Sequence, residues 1–175
     1  MDDATDVLPS AVATFRSQKL LAERAIEQLS DEQLRKPLDE NTNSVAVIVK
    51  HMAGNMLSRW TDFLTSDGDK PWRNRDGEFI DDFSSRAEID AFWQRGWECL
   101  FATLESLSPA DLARTVTIRQ EPHTVALAIA RQLSHYGYHV GQIVLIARLL
   151  AKDHWTVLTI RRGGSEEFNR RKMGG

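Results

Sequence analysis

Four stretches of this chain repeat apolar residues at intervals of three and four, and together they take up most of its 175 residues. That interval is one face of an α-helix, and four such faces are best buried against one another. The first stretch, near 10–29, carries Val12, Phe15, Leu20, Leu21, Ala25, Ile26 and Leu29. The second, near 43–65, carries Val45, Ile48, Val49, Met52, Met56, Trp60 and Phe63, with Asn43 or Ser44 as its cap. The third, near 85–107, opens at Ser84 or Ser85 with Glu88 placed for a capping box, and it presents Ile89, Phe92, Trp93, Trp97, Leu100, Phe101, Leu104 and Leu107. The fourth runs from Thr124 to about Leu150. Ser30-Asp31-Glu32-Gln33 reads as a capping box opening a short turn that Pro37 ends. Thr115 to Ile118 alternates and is β-branched, so it reads as a short extended piece, broken by Glu121-Pro122. The pattern predicts an all-α chain, a four-helix bundle with long connections, as one domain over 1–175. Its C-terminal tail, from about 152, shows no clear period.

Composition narrows the function classes. With 42% hydrophobic and 27% charged residues, the chain is too apolar for disorder and long enough to bury a core. Its 22 basic and 25 acidic residues give a net charge of −3, without the basic excess that non-specific nucleic-acid binding requires. The single cysteine, Cys99, makes no internal disulfide. The opening Met1-Asp2-Asp3-Ala4-Thr5-Asp6 is acidic where a signal peptide is basic. The most apolar run, Ile143 to Ala151, is too short to span a bilayer and contains Arg148. The expected setting is cytoplasmic, with a small-molecule substrate and neither nucleic acid nor membrane as partner.

Five histidines are present: His51, His123, His135, His139 and His154. His135 and His139 stand four apart on the fourth predicted helix, stacked on one face and close enough to share an ion. They adjoin the buried arc of Leu133, Tyr136, Val140 and Ile143, where imidazoles need partners. A shared metal is one such partner; hydrogen bonds to backbone or water are the other. His51 lies at the edge of the second helix's apolar arc, with Asn55 one turn later. Two ligands from one helix and one from a facing helix would complete a three-ligand site with a position left for water or substrate.

Other patterns are missing. No Glu stands three before a histidine, and there is no His-Glu-x-x-His, Cys-x-x-Cys or Gly-x-Ser-x-Gly. Arg162-Gly163-Gly164-Ser165 lacks the phosphate-loop pattern. Candidates to hold a substrate are Asn55, Arg59, Trp60, Trp72, Arg73, Arg75 and Tyr138. Trp60 and Tyr138 also read as core packing, and Arg73, Arg75 and Asp76 as a solvated loop within the irregular stretch 66–85. Cys99 reads as a packed thiol, His123 and His154 as structural or surface residues, and the basic tail as solvated.

The chain resembles the DinB-like (DinB/YfiT) superfamily of small four-helix metalloproteins. The resemblance rests on His51 with Asn55, and on the run Gln132-Leu133-Ser134-His135-Tyr136-Gly137-Tyr138-His139-Val140-Gly141-Gln142-Ile143. Glu121-Pro122-His123-Thr124, the loop from Lys70 to Phe79, and Trp155 to Ile160 with Gly163, Ser165 and Phe168 resemble one branch of unknown function. The likeness covers about Phe15 to Asn169. It implies a bundle that binds one divalent transition metal ion, usually zinc or nickel, through His51, His135 and His139. It also implies relatives that are transferases or isomerases dependent on low-molecular-weight thiols such as bacillithiol or mycothiol, and a possible homodimer. The metal would make a water or thiol nucleophilic near neutral pH. A non-catalytic metal- or ligand-binding bundle is the alternative.

Overall fold

A computed structural model describes residues 7–174. The acidic opening, Met1 to Asp6, lies outside the described residues. The described chain is mostly helical, with one small two-stranded sheet. The helices are α1 (Val7–Ile26), α2 (Asp31–Arg35), α3 (Val45–Trp60), α4 (Arg86–Ser106), α5 (Val125–Ala151) and α6 (Ser165–Met173). The strands are β1 (Thr115–Ile118) and β2 (Glu121–Thr124). No helix among the described residues is long and apolar enough to cross a membrane.

Polar residues start the helices where the sequence places them. The hydroxyls of Ser44 and Thr124 accept from the N–H groups of Val47 and Leu127, three residues into α3 and α5. Ser30 and Gln33 cap one another reciprocally at α2. Ser85 accepts from the Glu88 N–H, while the Glu88 carboxylate accepts from Ser84.

The main helix pairs are α3 with α4 and α1 with α5, and α3 also meets α5. At the centre one aromatic ring comes from each long helix: Phe15 from α1, Trp60 from α3, Trp97 from α4 and Tyr136 from α5, all at most 1% exposed. Phe15 stands 6.3 Å from Trp60, 6.5 Å from Trp97 and 5.8 Å from Tyr136, ring centre to ring centre. The Tyr136 hydroxyl accepts from Trp60 Nε1 at 3.2 Å and donates to Asn55 Oδ1 at 2.9 Å, so its burial leaves nothing unpaired.

Three expectations change. Glu121-Pro122 does not break the extended piece; it forms β2, antiparallel to β1 with Thr117 opposite Pro122. Arg119 and Gln120 make the two-residue turn, both at positive φ (54° and 65°). The Thr117 carbonyl points away from β2 to accept from Gly68 N–H, which marks Thr117–Pro122 as a pair without ladder bonds. Proline's missing N–H therefore costs nothing there. The second predicted helix stops at Trp60 rather than Thr65, because Asp62 turns left-handed (φ 48°) and starts a tight turn. The tail forms α6, which buries no residue and carries Glu166 and Glu167 in its first turn and Arg170, Arg171 and Lys172 in its last. Those charges complement the helix dipole where no apolar stripe exists.

The connection from α3 to α4 is tied down by Asp67. Its carboxylate accepts from the Arg119 and Gln120 N–H groups of the hairpin turn and from the Asp69 N–H. A 3₁₀ turn at Asp76–Phe79 then folds back against α3.

Candidate metal centre

His135 and His139 project from one face of α5, one turn apart, and His51 projects towards them from α3. The Nε2 atoms of His51 and His139 lie 3.3 and 3.1 Å from His135 Nε2, and one nitrogen from each ring falls within 4.8 Å of the other two. His51 is buried and the other two are half-buried.

The remaining ring nitrogens fix which atoms face inward. His51 Nδ1 lies 2.9 Å from Glu78 Oε2, and a carboxylate only accepts, so Nδ1 carries the hydrogen. His139 Nδ1 lies 2.8 Å from Gln142 Oε1, whose own amide nitrogen donates to the Tyr138 hydroxyl at 3.1 Å. Both rings thus present a lone pair on Nε2 to His135 Nε2. One proton on His135 can bridge one of these contacts but not both; a cation would satisfy all three nitrogens at once. Three imidazoles suit a transition metal rather than calcium or magnesium.

Glu78 is itself held from behind. Arg73 Nε donates to Oε1 at 2.7 Å and its Nη2 to Oε2 at 2.8 Å, a two-pronged ion pair with Arg73 only 2% exposed. Gly54 on α3 makes the room: a Cβ there would stand 2.5 Å from Glu78 Oε1. Phe79 stacks on the His51 ring, 4.9 Å between centres.

Electrostatics keep the cluster neutral at its core. Burial, then the neighbouring His139 and His51, pull the His135 pKa down to about 3. Burial also lowers that of His139, against a partly opposing hydrogen bond to Gln142. Burial alone would raise the pKa of Glu78, but hydrogen bonds from Arg73 and His51 and the charge of Arg73 outweigh it and bring it below the usual carboxylate value. Around pH 7, His135 and His139 are unprotonated and Glu78 is ionised.

The other sequence candidates are placed in different ways. Asn55, Arg59 and Arg75 line a cavity of about 350 Å³ that His51 and His135 also border. Arg73 stands behind Glu78, so its guanidinium is engaged within the protein. Trp72, 60% exposed, lines a separate groove with Lys50 and Phe92. Trp60 is core, whereas Tyr138 is 64% exposed rather than packed inside, and it steadies Gln142. His123 contacts the Glu121 carbonyl in the hairpin, His154 is exposed, and Cys99 sits beside Thr61 on the α3–α4 side.

Sequence reasoning did not find Glu78, Phe79 or Gly54 as parts of the site. Gln142 carried a signal, three residues after His139 on the same helix face. Glu78 carried none, because it reaches His51 from an irregular segment 27 residues away.

The model of a family described as "Protein of unknown function (DUF1572)" matches residues 2–164. Comparison with curated proteins and with solved structures finds no match.

Proposed function

We propose that this chain, which belongs to the DUF1572 family of proteins of unknown function, is a metal-dependent enzyme acting on a small molecule. In this reading the four long helices form a bundle of the DinB-like type. His51, His135 and His139 hold one divalent ion, zinc or nickel. One observation carries the reading: three Nε2 atoms converge while acceptors hold the outer Nδ1 atoms of His51 and His139.

When bound, such an ion supplies Lewis-acid chemistry that makes a water or a low-molecular-weight thiol nucleophilic near neutral pH. The chain's own residues set the conditions. Glu78 and Gln142 orient two of the rings and raise their basicity as ligands. Arg73 keeps Glu78 ionised and in place. His51 and His135 leave one side of the cluster towards the cavity, where a substrate can approach. Transfer of a thiol to an electrophile and hydrolysis of a small molecule both use this arrangement.

Elemental analysis of protein purified without chelator tests the proposal. About one equivalent of zinc or nickel per chain is expected, together with turnover in a screen of thiols and esters that a chelator stops. Protein that carries no transition metal and takes none up on titration would refute it.

A further inference from the structure

Arg59 is the one buried charge of α3 that nothing among the described residues neutralises by contact. It is 3% exposed, and its Nε and Nη1 have no hydrogen-bond partner. Of the other buried charged side chains among the described residues, Lys70 and Glu78 are hydrogen-bonded and Arg73 is paired with Glu78. Room is made for this guanidinium: a Cβ on Gly68 would stand 2.3 Å from its Nη1. A buried, unpaired cation is costly, and burial lowers its pKa, as does the charge of Arg73 and Arg131.

The cavity beside it explains why the cost is carried. Arg59, Arg75, Arg119 and Arg131 all line it, and no Asp or Glu does. Among the described residues only Arg119 of the four is in an ion pair, with Asp69 at 3.4 Å. In a chain of net charge −3, four arginines around about 350 Å³ concentrate positive potential in one place. Gln132, 1% exposed on the same wall, leaves its Oε1 unpaired too. His51, Asn55 and Arg59 follow one another at four-residue steps along α3, so the cavity runs about 12 Å of helix axis from histidine to guanidinium.

We propose that this cavity binds an anionic small molecule, its carboxylate or phosphate seated on Arg59 with Arg131, and its other end at the histidines. That orientation rests on the metal-enzyme reading; the arginines hold the anion without it. Guanidinium groups suit both acids because each offers paired oxygens to paired N–H donors.

Calorimetric titration of the full chain with succinate and with inorganic phosphate tests this, on zinc-loaded protein and on zinc-free His135→Ala. Saturable binding of at least one acid is expected in both forms, weakening as salt rises. Arg59→Gln and Arg131→Gln should each weaken it at least about tenfold, with zinc content unchanged. Arg131 is exposed, so its replacement does not threaten folding. Arg161→Gln in the tail should change nothing. No saturable binding of either acid, or binding unchanged in both Arg59→Gln and Arg131→Gln, would overturn the proposal. Binding that needs zinc but not the arginines would also overturn it, while leaving the metal site standing. Binding by a protein that takes up no zinc would uphold the anion site and remove the metal reading.

Discussion

The two helices that build the histidine cluster do so by opposite means. On α5 the histidines and their support are local: His135 and His139 are one turn apart, and Gln142 lies one turn beyond. On α3 a single histidine, His51, depends on Glu78 and Arg73 from an irregular connection, and on Gly54 to let Glu78 in. The α5 half is complete once its helix forms, whereas the α3 half needs a long connection folded correctly. The contrast predicts that damage to support should cost more on the α3 side.

The largest effect belongs to neither support but to a ligand. His135→Ala should weaken zinc binding by more than about 100-fold, beyond the range of changes to supporting residues, as competition with a chelating dye would show. Glu78→Gln comes next, with a loss of roughly 10–100-fold, because Arg73 is left without its charge and His51 with a weaker acceptor. Gly54→Ala should lower zinc affinity about tenfold by pushing Glu78 aside, despite alanine's better helix propensity. Gln142→Ala should fall at the low end, about tenfold or less, since half-exposed His139 can turn to water. Equal losses for Glu78→Gln and Gln142→Ala, measured in the same titration, would break the contrast.

A separate effect is one of pH on metal-free protein. His135 has a native pKa near 3 against an ordinary value of 6.5, so the unfolded chain binds its proton first. Stability from this group is complete above about pH 6.5 and is lost progressively as pH falls towards 3. Urea midpoints measured between pH 7 and 4 should decline, and less steeply in His135→Ala.

These differences also explain what could be read from sequence. Periodicity reveals α1, α4 and α5 because their burial is one-sided, and four-residue spacing reveals the α5 pair because both residues obey one helix. Glu78 obeys no period. Pro122 signals a break, yet it occupies the one kind of strand position that asks nothing of its N–H. Tyr138 sits beside the buried arc in sequence, but the helix turns it outward to 64% exposure. No apolar stripe announces α6; its acidic start and basic end are the signal that periodicity overlooks. Arg59 is legible as a residue on the histidine stripe of α3, whereas its lack of a partner is a property of packing alone.

The meeting of Phe15, Trp60, Trp97 and Tyr136 bears on how the molecule breathes. A long helix that swings outward must take its ring from the other three, so partial opening of the core gains little entropy and loses shared contacts. Amides of Trp60 and Tyr136 should then exchange with solvent deuterium only through global unfolding, while those of residues 61–85 exchange through local opening. Asn55, hydrogen-bonded to Tyr136, belongs to the slow set. The cavity thus should have a slowly exchanging wall at Asn55 and a faster-exchanging rim at Arg75.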